Sequence, residues 1–115
     1  MRRKLALAFS GAFLNSPEIE HQIDLRLANP QPREAFLAQA QAGATFDRSA
    51  DVHRIQAPCL IMGATGDKIV PVENVSLLAQ KIPHSRTVIY EGFGHQFLIE
   101  NASQFNRDVI RFLTQ

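Results

Sequence analysis

The order of apolar runs over residues 57–113 predicts an α/β fold: strand, helix, strand, helix. Three observations carry this expectation. "APCLIMG" (57–63) is a short, mostly apolar run with proline near its start and glycine at its end, as in a parallel strand buried on both faces. Val72, Val75, Leu78, Ala79 and Ile82 then recur on one side of a helical pattern. "IPHS" ends that helix, and "RTVIYE" (86–91) supplies the second strand. Strand, helix and strand in this order form a crossover unit, right-handed by the general rule for parallel strands.

The last helix is "NASQFNRDVIRFL" (101–113), with Asn101 as N-cap and Gln104 at the capping-box position. Phe105, Val109 and Phe112 are its expected buried stripe. The first 45 residues also read as helical. Leu5, Phe9 and Phe13 recur every fourth residue. Ser16, Pro17 and Glu18 form a helix start: an N-cap acceptor, a proline needing no amide partner, and an acid near the positive dipole end. Ile19, Ile23 and Leu27 then line one face. "NPQP" (29–32) breaks the chain, Pro32 opens "REAFLAQAQA", and Gly43 closes it. Nothing in these helices marks chemistry; their apolar stripes read as packing surfaces.

The basic start "MRRK" and the apolar "LALAFSGAFL" also have the pattern of a signal peptide. The apolar run before the small residues is very short, so an amphipathic helix is the reading adopted. No run of about 18 apolar residues exists, which leaves no membrane span. A chain of 115 residues is expected to form one domain around one core. Its 45% hydrophobic and 20% charged content is that of an ordinary soluble globular protein. Twelve basic and eleven acidic residues leave a formal charge of +1, which points to neither a nucleic acid nor an anionic membrane as partner. The one cysteine, Cys59, excludes an intramolecular disulfide. His21, His53, His84, His95 and Cys59 show no metal-ligand spacing, so no metal and no cofactor are expected.

Topology singles out two residues. Parallel strands joined by a crossover point the same way, so the loops leaving them emerge at one sheet edge, where open α/β sheets bind ligands. Asp67 lies four residues past Gly63, and His95 four past Glu91. Alone, each has an ordinary explanation: a turn-forming aspartate and a surface or packing histidine. Together they place a carboxylate and an imidazole at the edge where chemistry is done. Gly92 and Gly94 give the histidine loop backbone freedom, although an ordinary loop explains them almost as well.

At these residues the chain resembles a family. The segment from "IQAPCLIMGATGDKIVP" to "YEGFGHQFLIENASQFNRDVIRFL" resembles the C-terminal part of the α/β-hydrolase superfamily. It looks closest to the small esterases, lactonases and C–C bond hydrolases with a helical cap. The family's "G-x-x-D-x-x-V-P" loop is matched by "GATGDKIVP", with one more residue before the aspartate, and its "G-H" loop by "FGHQFLIE". The resemblance implies a partial doubly wound sheet with cap-like helices over 1–50 and a C-terminal hydrolase unit over 51–115. It implies a serine-type hydrolase in which Asp67 is the triad acid and His95 the base. The substrate would be a small ester, lactone or related acyl or C–C compound. A histidine's ordinary pKa of about 6.5 suits the base role near neutral pH. A cytoplasmic location is expected.

The resemblance also leaves a gap. The family nucleophile sits in "G-x-S-x-G", and none of Ser10, Ser16, Ser49, Ser76, Ser85 and Ser103 has glycine two residues away on both sides. Ser10, in "LAFSGAF", is the nearest imitation and reads as a helix residue. The chain is therefore expected to be the C-terminal portion of a longer hydrolase, with Met1 an internal methionine or a truncated start. Two strands with open edges need neighbours, so self-association or pairing with the missing N-terminal half is expected. Two other readings stay open: a non-catalytic interaction module or inactive fragment, and an Asp67–His95 dyad activating water alone. The second ranks last, because it forgoes oxyanion stabilisation of about 2.7–4 kcal/mol per donor.

Overall fold

The computed structural model describes residues 2–115, so Met1 and the question of the native start lie outside the described residues. Helices α1 (Arg2–Ala8), α2 (Gly11–Leu14), α3 (Glu18–Ala28) and α4 (Arg33–Thr45) come first. A single 3₁₀ turn (Val52–Arg54) leads into β1 (Cys59–Ala64), α5 (Glu73–Lys81) and β2 (Ser85–Tyr90). The short α6 (Phe97–Glu100) and α7 (Ala102–Leu113) close the described chain. β1 and β2 form a two-stranded parallel sheet in register from Cys59 opposite Ser85 to Ala64 opposite Tyr90. This is the partial α/β sheet with helices that the sequence predicts.

Among the described residues two apolar clusters form where one core was expected. Val75 and Ile82, at the spacing predicted for α5 and the residue after it, close over Ile61 of β1. Leu5, Phe9 and Ile19 form the other cluster, and Ile99 of α6 packs against it. Fully burying one such side chain is worth about 1.5–3 kcal/mol, so each cluster is a modest anchor. Ile99 joins the helical region to the segment after β2.

Several local expectations are corrected. The Leu5–Phe9–Phe13 repeat spans two helices, because Ser10 is extended and caps α2 by accepting from the Phe13 amide at 3.2 Å. Phe13 still stacks on Phe9, with centroids 4.8 Å apart. Ser16 is not the side-chain cap of α3; its hydroxyl donates backwards to the Phe13 carbonyl at 2.9 Å. On α3 only Ile19 of the expected stripe is fully buried, and Leu27 is exposed. Gly43 does not end α4, which runs on to Thr45, and Phe36 and Leu37 of that helix are exposed. β1 is not buried on both faces: Ile61 and Ala64 are, while its other residues are half-buried, since β2 covers one edge only. On α7 none of Phe105, Val109 and Phe112 is fully buried. Among the described residues no helix is long and apolar enough to cross a membrane.

The expected capping box at Asn101 and Gln104 does not form either, since Asn101 makes no side-chain cap bond. Gln104 turns instead to Asp108, donating to both carboxylate oxygens at 3.0 Å, a charged acceptor within one helical turn. Tyr90, at the end of β2 and 4% exposed, donates its hydroxyl to the same carboxylate at 2.8 Å. This bond ties the strand to α7. Burial, followed by the Asp108 carboxylate, pushes the Tyr90 phenol up to about 12. A folded value above the unfolded one near 10 means stability that is complete below about pH 10 and lost as pH rises towards the folded value. Tyr90 is the one tyrosine of the chain, so its phenolate absorbance is directly readable. It should titrate near 12, and Asp108→Asn should bring it part of the way back; titration at the ordinary value in the unmodified chain would refute the tether.

Candidate active site

The two loops after the parallel strands are laced together by backbone bonds. The Thr65 amide donates to the Tyr90 carbonyl at 3.0 Å, and the Gly66 amide to the Phe93 carbonyl at 2.9 Å. The Thr65 hydroxyl accepts from the Gly92 amide at 2.8 Å. Gly66 permits this approach, because a Cβ there would lie 2.6 Å from the Phe93 oxygen. Gly92 turns the second loop with a φ of +79°, a conformation natural to glycine. Gly94 serves differently: its φ is not positive, but a Cβ would lie 2.8 Å from the Ala8 carbonyl oxygen.

Asp67 and His95 meet across these loops. His95 Nδ1 lies 2.8 Å from Asp67 Oδ2. The carboxylate is acceptor-only, so Nδ1 is the donor of this bond. Nε2 has no hydrogen-bond partner among the described residues, and the imidazole side chain is 35% exposed against 5% for Asp67. The other carboxylate oxygen, Oδ1, accepts from the Ile69 and Val70 amides, each at 2.8 Å. Burial alone would raise the Asp67 carboxyl. The Val70 amide, the His95 ring and the Ile69 amide outweigh it and hold the group below the usual carboxylate range. The result is an acceptor favoured as the anion and held on both oxygens, facing the Nδ1 edge of the imidazole.

A cavity of about 160 Å³ lies beside the pair, walled by Met62 of β1, Val70, Pro71, Leu78 of α5 and Phe97. A larger groove of about 410 Å³, between Phe46 and Leu77, contains neither Asp67 nor His95. Among the described residues no group of three His, Cys, Asp or Glu side chains is placed to share a metal ion. The Ser10 hydroxyl is committed elsewhere than to His95, donating to Glu100 Oε2 at 2.5 Å. Glu100, Thr65 and Gly66 are the site residues that sequence reasoning did not single out. Gly66 alone left a signal, as a glycine directly before the aspartate.

The profile of the TAP-like protein family matches residues 34–115. The chain belongs to this family of the α/β-hydrolase superfamily. A poly(3-hydroxyalkanoate) depolymerase from Ectopseudomonas oleovorans is 29% identical over 109 residues, covering 93% of this chain and 37% of that protein. A meta-cleavage product hydrolase from Pseudomonas fluorescens IP01, solved as an S103A mutant with acetates, superposes with a TM-score of 0.79 at 25% identity. That match covers 99% of this chain and 44% of the other. A serine hydrolase involved in carbazole degradation is 29% identical, with a TM-score of 0.65 over 71% of this chain and 33% of its own. The chain thus spans between a third and a half of the length of these relatives.

A carboxyl depressed in the folded state stabilises above its unfolded pKa, and the contribution disappears as pH falls through the folded value. The stability advantage of this chain over its Asp67→Asn variant should therefore shrink as pH falls below about 4. Urea midpoints measured from pH 7 to the acid limb check this; a difference independent of pH would show that Asp67 is not held as the anion.

Proposed function

We propose that this chain is the acid- and base-bearing portion of a serine-type α/β-hydrolase, with Asp67 as triad acid and His95 as base. The nucleophile would come from residues outside this chain. The observation that carries the reading is the 2.8 Å bond from His95 Nδ1 to a buried Asp67 carboxylate whose second oxygen is held by two amides. This arrangement supplies what a triad needs of its acid: one imidazole tautomer, one orientation, and a fixed negative charge behind the ring.

In the proposed reaction, Nε2 takes the hydroxyl proton as the serine oxygen bonds to the substrate's acyl carbon. Asp67 stabilises the imidazolium without accepting its proton. The imidazolium then protonates the leaving oxygen or carbon as the old bond breaks. A water repeats the sequence on the acyl-enzyme, releasing the acid and the serine. The substrate class is a small ester, lactone or related acyl or C–C compound. Support comes from similarity to a poly(3-hydroxyalkanoate) depolymerase, a serine hydrolase and a meta-cleavage product hydrolase.

Under this reading residues 1–50 are cap-like, residues 51–115 form the C-terminal hydrolase unit, and the open sheet edges pair with the missing N-terminal half. A cytoplasmic location is part of the same proposal. Exposed Leu77, Ile110 and Leu113 favour one other reading, a non-catalytic contact module, since large apolar groups on two helices are available for a partner.

The test uses the complete polypeptide that contains this chain. It should label with a fluorophosphonate; Asp67→Asn should reduce turnover by about 10⁴-fold, and His95→Ala should abolish it. Full turnover with His95→Ala would sink the hydrolase assignment. Absence of labelling would favour the contact module.

A further inference from the structure

We propose that Glu100 is the positioning residue of His95, its carboxylate clamping the Gly94 amide to the Ser10 amide and hydroxyl and so fixing the loop that aims the imidazole at Asp67. The inference rests on the acid–base reading of Asp67 and His95. Glu100 Oε1 accepts from the Gly94 and Ser10 amides, both at 3.0 Å, and Oε2 accepts from the Ser10 hydroxyl at 2.5 Å. On the other side of the histidine, the Gln96 amide donates to the Ala8 carbonyl at 2.8 Å. Both backbone neighbours of His95 are therefore held by one short segment, Ala8–Ser10, the first through Glu100 and the second directly.

Asp67 fixes a ring nitrogen, but it does not fix the backbone from which the ring hangs. That backbone is set at positions 94 and 96. Gly94 is buried against the Ala8–Ser10 backbone, with room for no side chain. Its amide needs an acceptor there, and Glu100 supplies a charged one. Hydrogen bonds to a charged acceptor are roughly twice as strong as neutral ones, and three of them converge on this one carboxylate. Ile99, the residue before it, packs against the Leu5–Phe9–Ile19 cluster, which holds the Glu100 backbone in place. The helical region and the histidine loop thus behave as one unit, with Glu100 at the joint.

The reporter is the low-field Nδ1 proton of His95 in ¹⁵N-edited NMR of the chain, a signal that a merely structural residue would leave in place. Glu100→Ala should lose it, or speed its exchange with water by about tenfold or more, the factor set by one hydrogen bond to a charged group. Glu100→Gln keeps an acceptor for both amides and should retain it. Persistence of the signal in Glu100→Ala overturns the proposal. Should that variant fail to fold, Ser10→Ala serves: exchange of the Gly94 and Gln96 amides should rise about tenfold while the β1 and β2 amides stay protected. Unchanged exchange at both positions also overturns it. Asp67→Asn separates the two ideas. A signal that survives Asp67→Asn defeats the acid–base pair itself, whereas a signal lost there but kept in Glu100→Ala defeats the role of Glu100 alone.

Discussion

Parallel pairing of β1 with β2 is the constraint on which the site depends. Because the two strands run the same way, the chain leaves both at the same rim, and Asp67 and His95 have only short loops to cross before they meet. An antiparallel pair would send the loops to opposite ends of the sheet and separate the two groups by a strand length. The crossover helix α5 makes the parallel arrangement possible and secures it, since Val75 and Ile82 bury Ile61 beneath them. Packing on one face of two strands thus has a direct chemical consequence at their ends.

Electrostatics then converts proximity into a defined state. Burial works against a charged carboxylate, and Asp67 is among the less accessible side chains of the loop. Two backbone amides and one imidazole N–H offset that cost and leave the anion favoured. The same bonds that keep the group ionised also keep it still. A carboxylate with one oxygen held by the backbone has little freedom to follow a moving ring, so the ring must follow it. The His95 side chain is 35% exposed against 5% for Asp67, and Nε2 has no hydrogen-bond partner among the described residues.

The helical region contributes to the same site from the other side. Its cluster around Phe9 is small, and no residue of α4 is buried, so the region adds little burial of its own. Its influence is geometric. The Ala8–Ser10 backbone runs against Gly94 and accepts from Gln96, bracketing the histidine between two anchors. Tyr90, bonded to Asp108 on α7, anchors the strand from which the same loop departs. The loop is held at its root and along its length, while the imidazole remains open to solvent.

The sequence by itself determined the element order, the parallel character of the sheet and the pair of residues at its rim. These follow from local signals: short apolar runs, a helical repeat between them, and loops of a few residues after each strand. It also carried the family patterns around Asp67 and His95. Helix details were less legible. Ser10, Ser16 and Gln104 are all residues that cap helices well, yet which partner each one takes depends on what lies within reach in space. Ser10 found Phe13 and Glu100, Ser16 turned back to a carbonyl, and Gln104 was drawn to the charge of Asp108. Glu100 was invisible for the same reason: ninety positions separate it from Ser10. Tertiary structure alone decided the Ser10–Glu100 contact, because a hydrogen bond between distant residues has no periodicity along the chain and exists only once both backbones are in place.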